Sequence, residues 1–286
     1  MLEEISVCLA TLYLRGLNRP TQPLRRRWTR IVSCLRLADS SFDDFPIILR
    51  SSGFHEEALL LESKELVGQA RSEIERQRVL TSVEEGYPTR WIERLKEGAP
   101  PAVWISGSPP SSAFVGIVGS RQIDAETRQF AEEIGRESTR LGFGVISGGA
   151  TGSDLAGTKG ALLSNGSVLE ILPYGIDHFV GIDKCGISVA APREEFSSAL
   201  AMERNGLIYA GSENTVIIQS RFKEGGTWHG ALEAVRRKLC PLIVRHDHSE
   251  ASRALIGLGA FPISHAQELA SALNHTQAQR GLFNIG

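Results

Sequence analysis

Cysteine is scarce and scattered in this sequence. Only Cys8, Cys34, Cys185 and Cys240 occur, and no two form a CxxC pair. That spacing suggests neither a zinc cluster nor a disulfide framework, and free thiols in a reducing cytosol are the expectation. Long apolar runs are missing as well. The apolar stretch from Ile5 to Leu14 follows Glu3 and Glu4 rather than a basic segment, and it is too short to span a bilayer. It reads as a buried helix, with no export signal and no membrane segment, so a cytoplasmic protein is expected. No excess of one charge exists: 31 Lys and Arg face 33 Asp and Glu, for a net charge of −2. Any contact with a polyanion must therefore come from a local patch. The GxGxxG and GxxxxGK[ST] loops and the GxSxG elbow are all absent. Hydride transfer, P-loop hydrolysis and serine-nucleophile chemistry thus have no motif behind them. There is no internal repeat and no low-complexity block.

What remains is an ordinary globular mixture, 42% apolar and 22% charged over 286 residues. That length supports one large domain or two modest ones. Residues 1–83 read as a helical N-terminal domain. Leu9, Leu12, Leu17, Trp28, Ile31, Val32, Leu35 and Leu37 fall mostly at helical spacing. His55 to Arg78 reads as one long helix with Leu59, Leu60, Leu66, Val67, Ala70 and Ile74 on its apolar side. Residues 84–112 are rich in Pro and Gly and read as a connector holding the short apolar pieces Trp91–Leu95 and Val103–Ile105.

From residue 113 to about 270 strands alternate with helices. The predicted strands are Phe114–Val118, Gly144–Ser147, Val168–Leu172, Ile187–Ala190, Thr215–Gln219 and Leu242–Val244, with one more over Gly259–Ile263. A short helix is expected over 194–203. Near-continuous apolar strands separated by helices specify an α/β fold: a Rossmann-like parallel sheet with helices on both faces. Residues 271–286 read as a polar tail.

Three Gly-bearing polar segments each follow a predicted strand. They are Gly119-Ser120-Arg121, then Ser147-Gly148-Gly149-Ala150-Thr151-Gly152-Ser153-Asp154, then Gly225-Gly226-Thr227. A parallel sheet brings all three to its carboxyl edge, where ligands bind at the point of strand-order reversal. Glycines let the backbone approach a phosphate, and N–H groups at a helix start point at it. Arg121 offers a planar fork and Lys159 a point charge. Arg204-Asn205 is expected on a further loop, where Arg can hold a phosphate and Asn a base edge. Glu224 and Glu233 bracket the last segment and are either acid/base residues or solvated carboxylates. His246 and His248 read as exposed loop histidines rather than metal ligands. No catalytic residue, metal site or cofactor is assigned. Two basic clusters stand outside these loops. Arg25-Arg26-Arg27 with Arg30, beside Trp28, is a candidate for an auxiliary backbone-binding patch. Arg236-Arg237-Lys238 sits where cations suit a helix C-terminus.

The ordered segments resemble the DNA-processing protein A (DprA/Smf) family. The likeness runs from about residue 84 to about 245. It is carried by Gly86-Tyr87-Pro88, Pro100–Gly107, Gly116-Ile117-Val118-Gly119-Ser120-Arg121, Ser147–Leu162, Ile171–Asp177 and Arg204-Asn205. The resemblance implies an extended Rossmann fold that binds single-stranded DNA, loads a RecA-type recombinase onto it, dimerises through the Rossmann domain and performs no chemical reaction. It implies a positive pocket at the strand ends, here matched by Ser120, Arg121, Ser147, Gly148, Lys159, Arg204 and Asn205. Three positions depart from the family pattern. Thr151 stands for Arg, Thr158 for His and Gly206 for Arg, which lowers the positive charge. The family's C-terminal winged helix has no room after residue 250. Gly225-Gly226-Thr227-Trp228 looks more like the loop of the lysine-decarboxylase-like (LOG) proteins. The alternative reading is therefore a nucleotide-binding sensor or phosphoribohydrolase using the same pocket. A third is a scaffold whose helical domain binds a partner.

Overall fold

A computed structural model describes residues 1–14, 27–38, 40–110 and 113–283. Leu17, and Arg25 and Arg26 of the first basic cluster, lie outside the described residues. Residue contacts divide the chain into two units. The first holds residues 1–109, 174–179 and 187–196, and the second holds 110–173, 180–186 and 197–286.

The first unit begins with helices α1 (Leu2–Leu14), α2 (Trp28–Ala38), α3 (Phe45–Ser51), α4 (His55–Leu61) and α5 (Lys64–Glu75). Every residue of α1 from Ile5 to Tyr13 is buried, as expected for a helix that is apolar on all sides. It packs against α2, α4 and α5. The long helix expected over 55–78 is in fact two. Ser63 interrupts it and caps α5, its side chain accepting from the Leu66 N–H at 3.4 Å; a serine satisfies an otherwise orphan N–H best at such a start. The break rotates the faces, and Leu59 becomes 61% exposed. The chain then forms β1 (Val79–Thr81), α6 (Thr89–Leu95) and β2 (Ala102–Ser106). β1 and β2 pair antiparallel, so Val103–Ile105 of the expected connector is the middle of a strand. Trp91 is fully buried and meets Tyr87 edge-on at 5.6 Å.

The second unit contains β3 (Phe114–Val118), α7 (Ala125–Arg140), β4 (Gly144–Ser147), α8 (Ser153–Leu162) and β5 (Val168–Leu172). Next comes β6 (Cys185–Ser188), whose first two residues belong to this unit and last two to the first. After it follow α9 (Ser198–Gly211), β7 (Asn214–Ile217), α10 (Gly225–Arg237), β8 (Leu242–Arg245), α11 (Glu250–Gly257), β9 (Phe261–Ile263) and α12 (Leu269–Phe283). Six strands run parallel in the order β5-β4-β3-β7-β8-β9. β4, β5 and β7 are buried at every position, because α7, α8 and α12 cover one face and α9 and α10 the other. This is the Rossmann-like α/β architecture the alternating pattern specifies. The fourth strand starts two residues earlier than expected, at Cys185.

Two elements differ more. The helix expected over 194–203 is α9 and extends to Gly211, so Arg204 and Asn205 lie inside a helix and not on a loop. Ser197 caps it, accepting from the Leu200 N–H at 3.2 Å. The segment expected as a polar tail forms α12. Leu269, Ala272 and Leu273 join the core, and Asn214 donates to the Thr276 hydroxyl at 2.7 Å. None of the four cysteines forms a disulfide, and burial pushes the Cys185 thiol up to about 12, which makes it a poor nucleophile. No helix among the described residues is long and apolar enough to cross a membrane.

Helices α7 and α8 meet backbone to backbone. A Cβ on Gly135 would lie 2.0 Å from the Gly157 carbonyl oxygen, and one on Gly160 1.9 Å from that of Glu132. Gly160→Ala is expected to cost about 1–3 kcal/mol by overpacking, outweighing the gain of about 1 kcal/mol in helix propensity. The readout is a lower urea midpoint at unchanged slope. A midpoint equal to or above the parent's would contradict this contact.

Candidate functional site

The strand order turns at one place. β3 continues to β4 and β5 on one side, while β7 begins the other wing. At the carboxyl end of a parallel sheet such a reversal leaves a crevice, because the following helices go to opposite faces. Here it is a cleft of about 500 Å³, within the range of roughly 300–1,000 Å³ usual for small-molecule sites. One wall is the turn after β3, Gly119 to Gln122. The opposite wall is Arg221, Glu224 and the α10 start at Gly225, Gly226 and Thr227. The floor is Ala150, Asp154, Arg204 and Tyr209, and Asn205 and Ala201 of α9 complete it.

The loops are fastened to one another. Ser120 N–H donates to the Gln219 carbonyl at 3.0 Å, and the Ser153 N–H and hydroxyl both donate to the Ser120 carbonyl, at 3.1 and 3.2 Å. Gly152 sits at φ +83°, and a Cβ there would lie 2.4 Å from the carbonyl oxygens of Ser120 and Arg121. Only glycine lets α8 begin so close to the β3 turn.

Beneath the cleft Asp154 gathers the loops. Its carboxylate is 4% exposed and accepts backbone N–H groups of Gly119, Gly148 and Ala150. Arg204 Nη1 lies 3.4 Å from Asp154 Oδ2, and both side chains are buried. Burial pushes the Asp154 carboxyl above its ordinary value, and the Arg204 guanidinium and the three N–H groups act in the opposite sense. Arg204 passes over Gly148, where a Cβ would stand only 0.9 Å from Nη1. Gly148 is thus glycine to make room for an arginine, not for a ligand.

The residues proposed from sequence fall into two groups. Gly119, Ser120, Arg121, Arg204, Asn205, Gly225, Gly226 and Thr227 line the cleft. The others do not. Ser147 is fully buried and donates to the Ile117 carbonyl at 2.7 Å. Gly149 lies against Glu170, whose carboxylate pairs with Lys184 at 2.7 Å. Thr151 is exposed on the loop after β4, and Lys159 pairs with Glu132 of α7 at 2.8 Å. Among the three departures, Thr158 is fully buried and bonds back to the Leu155 carbonyl, while a side chain at Gly206 would meet open space. Glu224 reaches the cleft; Glu233 is held by Arg236 and Arg237 on the exposed side of α10. Sequence reasoning assigned no role to Asp154, Tyr209 or Arg221. Asp154 was the most accessible of them, as an acidic residue in the first turn of a helix that follows a Gly-rich loop. Asn205 donates to the Gly226 carbonyl at 3.3 Å, tying α9 to the start of α10. The His246 and His248 rings lie 4.4 Å apart, tilted by 54°, and no group of three metal-ligating side chains exists among the described residues.

The second unit is thus a Rossmann-like α/β unit with an arginine-lined cleft at its switch point. The chain belongs to the DNA recombination-mediator protein A family, whose model matches residues 78–274. Its fold is similar to that of DNA processing protein A from Streptococcus pneumoniae, at a TM-score of 0.70 and 17% identity over 92% of this chain and 97% of that one. It is also similar to DNA processing protein A from Helicobacter pylori, at a TM-score of 0.57 and 21% identity over 69% of this chain and 95% of that one. No curated protein matches the chain.

Removing one member of a buried pair strands the other charge. Arg204→Ala is expected to destabilise the protein by about 3–5 kcal/mol. The double variant with Asp154→Ala should cost less than the two single changes added together. Urea unfolding of the four proteins measures this. An Arg204→Ala protein within about 0.5 kcal/mol of the parent would remove the pair from its structural role.

Proposed function

We propose that this chain binds single-stranded DNA in the cleft and acts as a recombination mediator that delivers the strand to a RecA-type recombinase. It works as a homodimer joined through its Rossmann-like unit. The observation that carries the reading is that Arg121, Arg221 and the N-terminus of α10 line the same cleft, from its two walls. Cationic forks and outward N–H groups are what a phosphodiester needs, and they read no sequence. Family membership supports the same function. The Helicobacter pylori structure is described by its single-stranded DNA-binding mode, and its fold is shared here.

The cleft is modestly charged. Arg204 is neutralised by Asp154, and the lining that remains holds Arg121, Arg221 and one carboxylate, Glu224. Affinity is accordingly expected to be low and salt-sensitive, with few phosphates neutralised. No catalytic role is assigned to the cleft residues.

Arg121→Ala tests the site. Fluorescence anisotropy with oligonucleotides of different sequence should show weaker binding by a similar factor for each. The slope of log affinity against log salt should fall by about 0.7, the value for one lost contact to a single strand. An unchanged affinity and slope would exclude Arg121 from the interface, and no binding by folded parent protein at low salt would overturn the DNA reading.

A further inference from the structure

The cleft carries a charge arrangement that a continuous DNA backbone does not explain. Arg121, Arg221 and the first residues of α10 line one cleft, and Glu224, the residue that precedes α10, lines it too. The backbone of residues 221–224 folds back on itself, the Glu224 N–H donating to the Arg221 carbonyl at 3.3 Å, which fixes arginine and glutamate on the same short turn. Two cationic forks on one phosphate suit a dianion. A phosphodiester carries a single negative charge, whereas a phosphomonoester near neutral pH carries between one and two. A string of phosphodiesters passing through would also bring one of its phosphates toward Glu224, where like charges repel. A sugar hydroxyl or a base amino group would instead find an acceptor there. The cleft, at about 500 Å³, has the size of a site for one nucleotide rather than for a run of them.

We infer that the cleft recognises a nucleotide bearing a terminal phosphate. The phosphomonoester sits between Arg121, Arg221 and the start of α10, and the hydroxyl or amino donors of the same nucleotide face Glu224. The inference rests on the DNA reading above and sharpens it: a single strand is gripped preferentially at a phosphorylated end. The same chemistry is offered by a free nucleoside monophosphate, which then competes with the strand.

The test is competition anisotropy on the full chain, with an internally labelled strand as reporter. The competitors are one oligonucleotide sequence with a 5′-phosphate, with a 3′-phosphate and with hydroxyl ends, and a free deoxynucleoside monophosphate. A strand with a phosphate at one of its ends should compete about tenfold better than the hydroxyl-ended strand, the worth of one additional charge-assisted pair. The free nucleotide should displace the reporter at higher concentration. Arg221→Ala, an exposed position, should reduce the ratio between phosphate- and hydroxyl-ended strands, with the melting temperature reporting that the protein is folded. Equal competition by all three strands overturns the inference and leaves the DNA reading standing. Binding of the nucleotide with no binding of any strand supports the terminal-phosphate site and overturns the DNA reading. Binding of neither overturns both.

Discussion

The Asp154–Arg204 pair is the constraint on which the cleft depends. A carboxylate taken out of water must be compensated from all sides, and here the compensation comes from three different stretches of chain. Backbone N–H groups of the turn after β3 and the loop after β4 converge on it, and the guanidinium comes from the middle of α9. Those three segments are fixed relative to one another by the need to keep one charge satisfied. The glycines of the loop follow from that geometry. Gly148 yields its side-chain space to Arg204, and Gly152 lets α8 begin against the Ser120 and Arg121 carbonyls.

With the floor built in this way, the proposed ligand contacts are left to the walls. Arg121 and Arg221 come from the loops after β3 and β7, the two strands that flank the reversal in strand order. The start of α10 adds oriented N–H groups, and Asn205 holds it to α9 through the Gly226 carbonyl. An arginine matched to the family's pocket on its sequence is thus a supporting residue here. The contacts available to a phosphate come from loops that sequence periodicity cannot rank.

The architecture was legible because parallel strands covered on both faces leave continuous apolar runs. Phe114–Val118, Gly144–Ser147 and Val168–Leu172 needed no further information. The family was legible because several short segments recur in a set order, and the family model covers all of that stretch. The site was only partly legible. A Gly after a strand looks the same whether it clears space for a ligand or for Arg204. A basic residue on a helix, such as Lys159, does not reveal that Glu132 of the neighbouring helix claims it. Arg204 and Asn205 were read as loop residues because the helix expected over 194–203 stopped just short of them. Burial by Asp154 and the Ser197 cap put them inside a helix. Likewise the amphipathicity of α12 is weak in sequence, and its helix is specified by the core it covers.

The central claim is that DNA enters the cleft at the switch point. Amide hydrogen exchange of the full chain at low salt, with and without a short single strand, tests it most directly. The account predicts added protection in three places that are distant in sequence: residues 119–122, residues 150–154 and residues 221–227. Protection confined to the helical first unit, with these three segments unchanged, would contradict it.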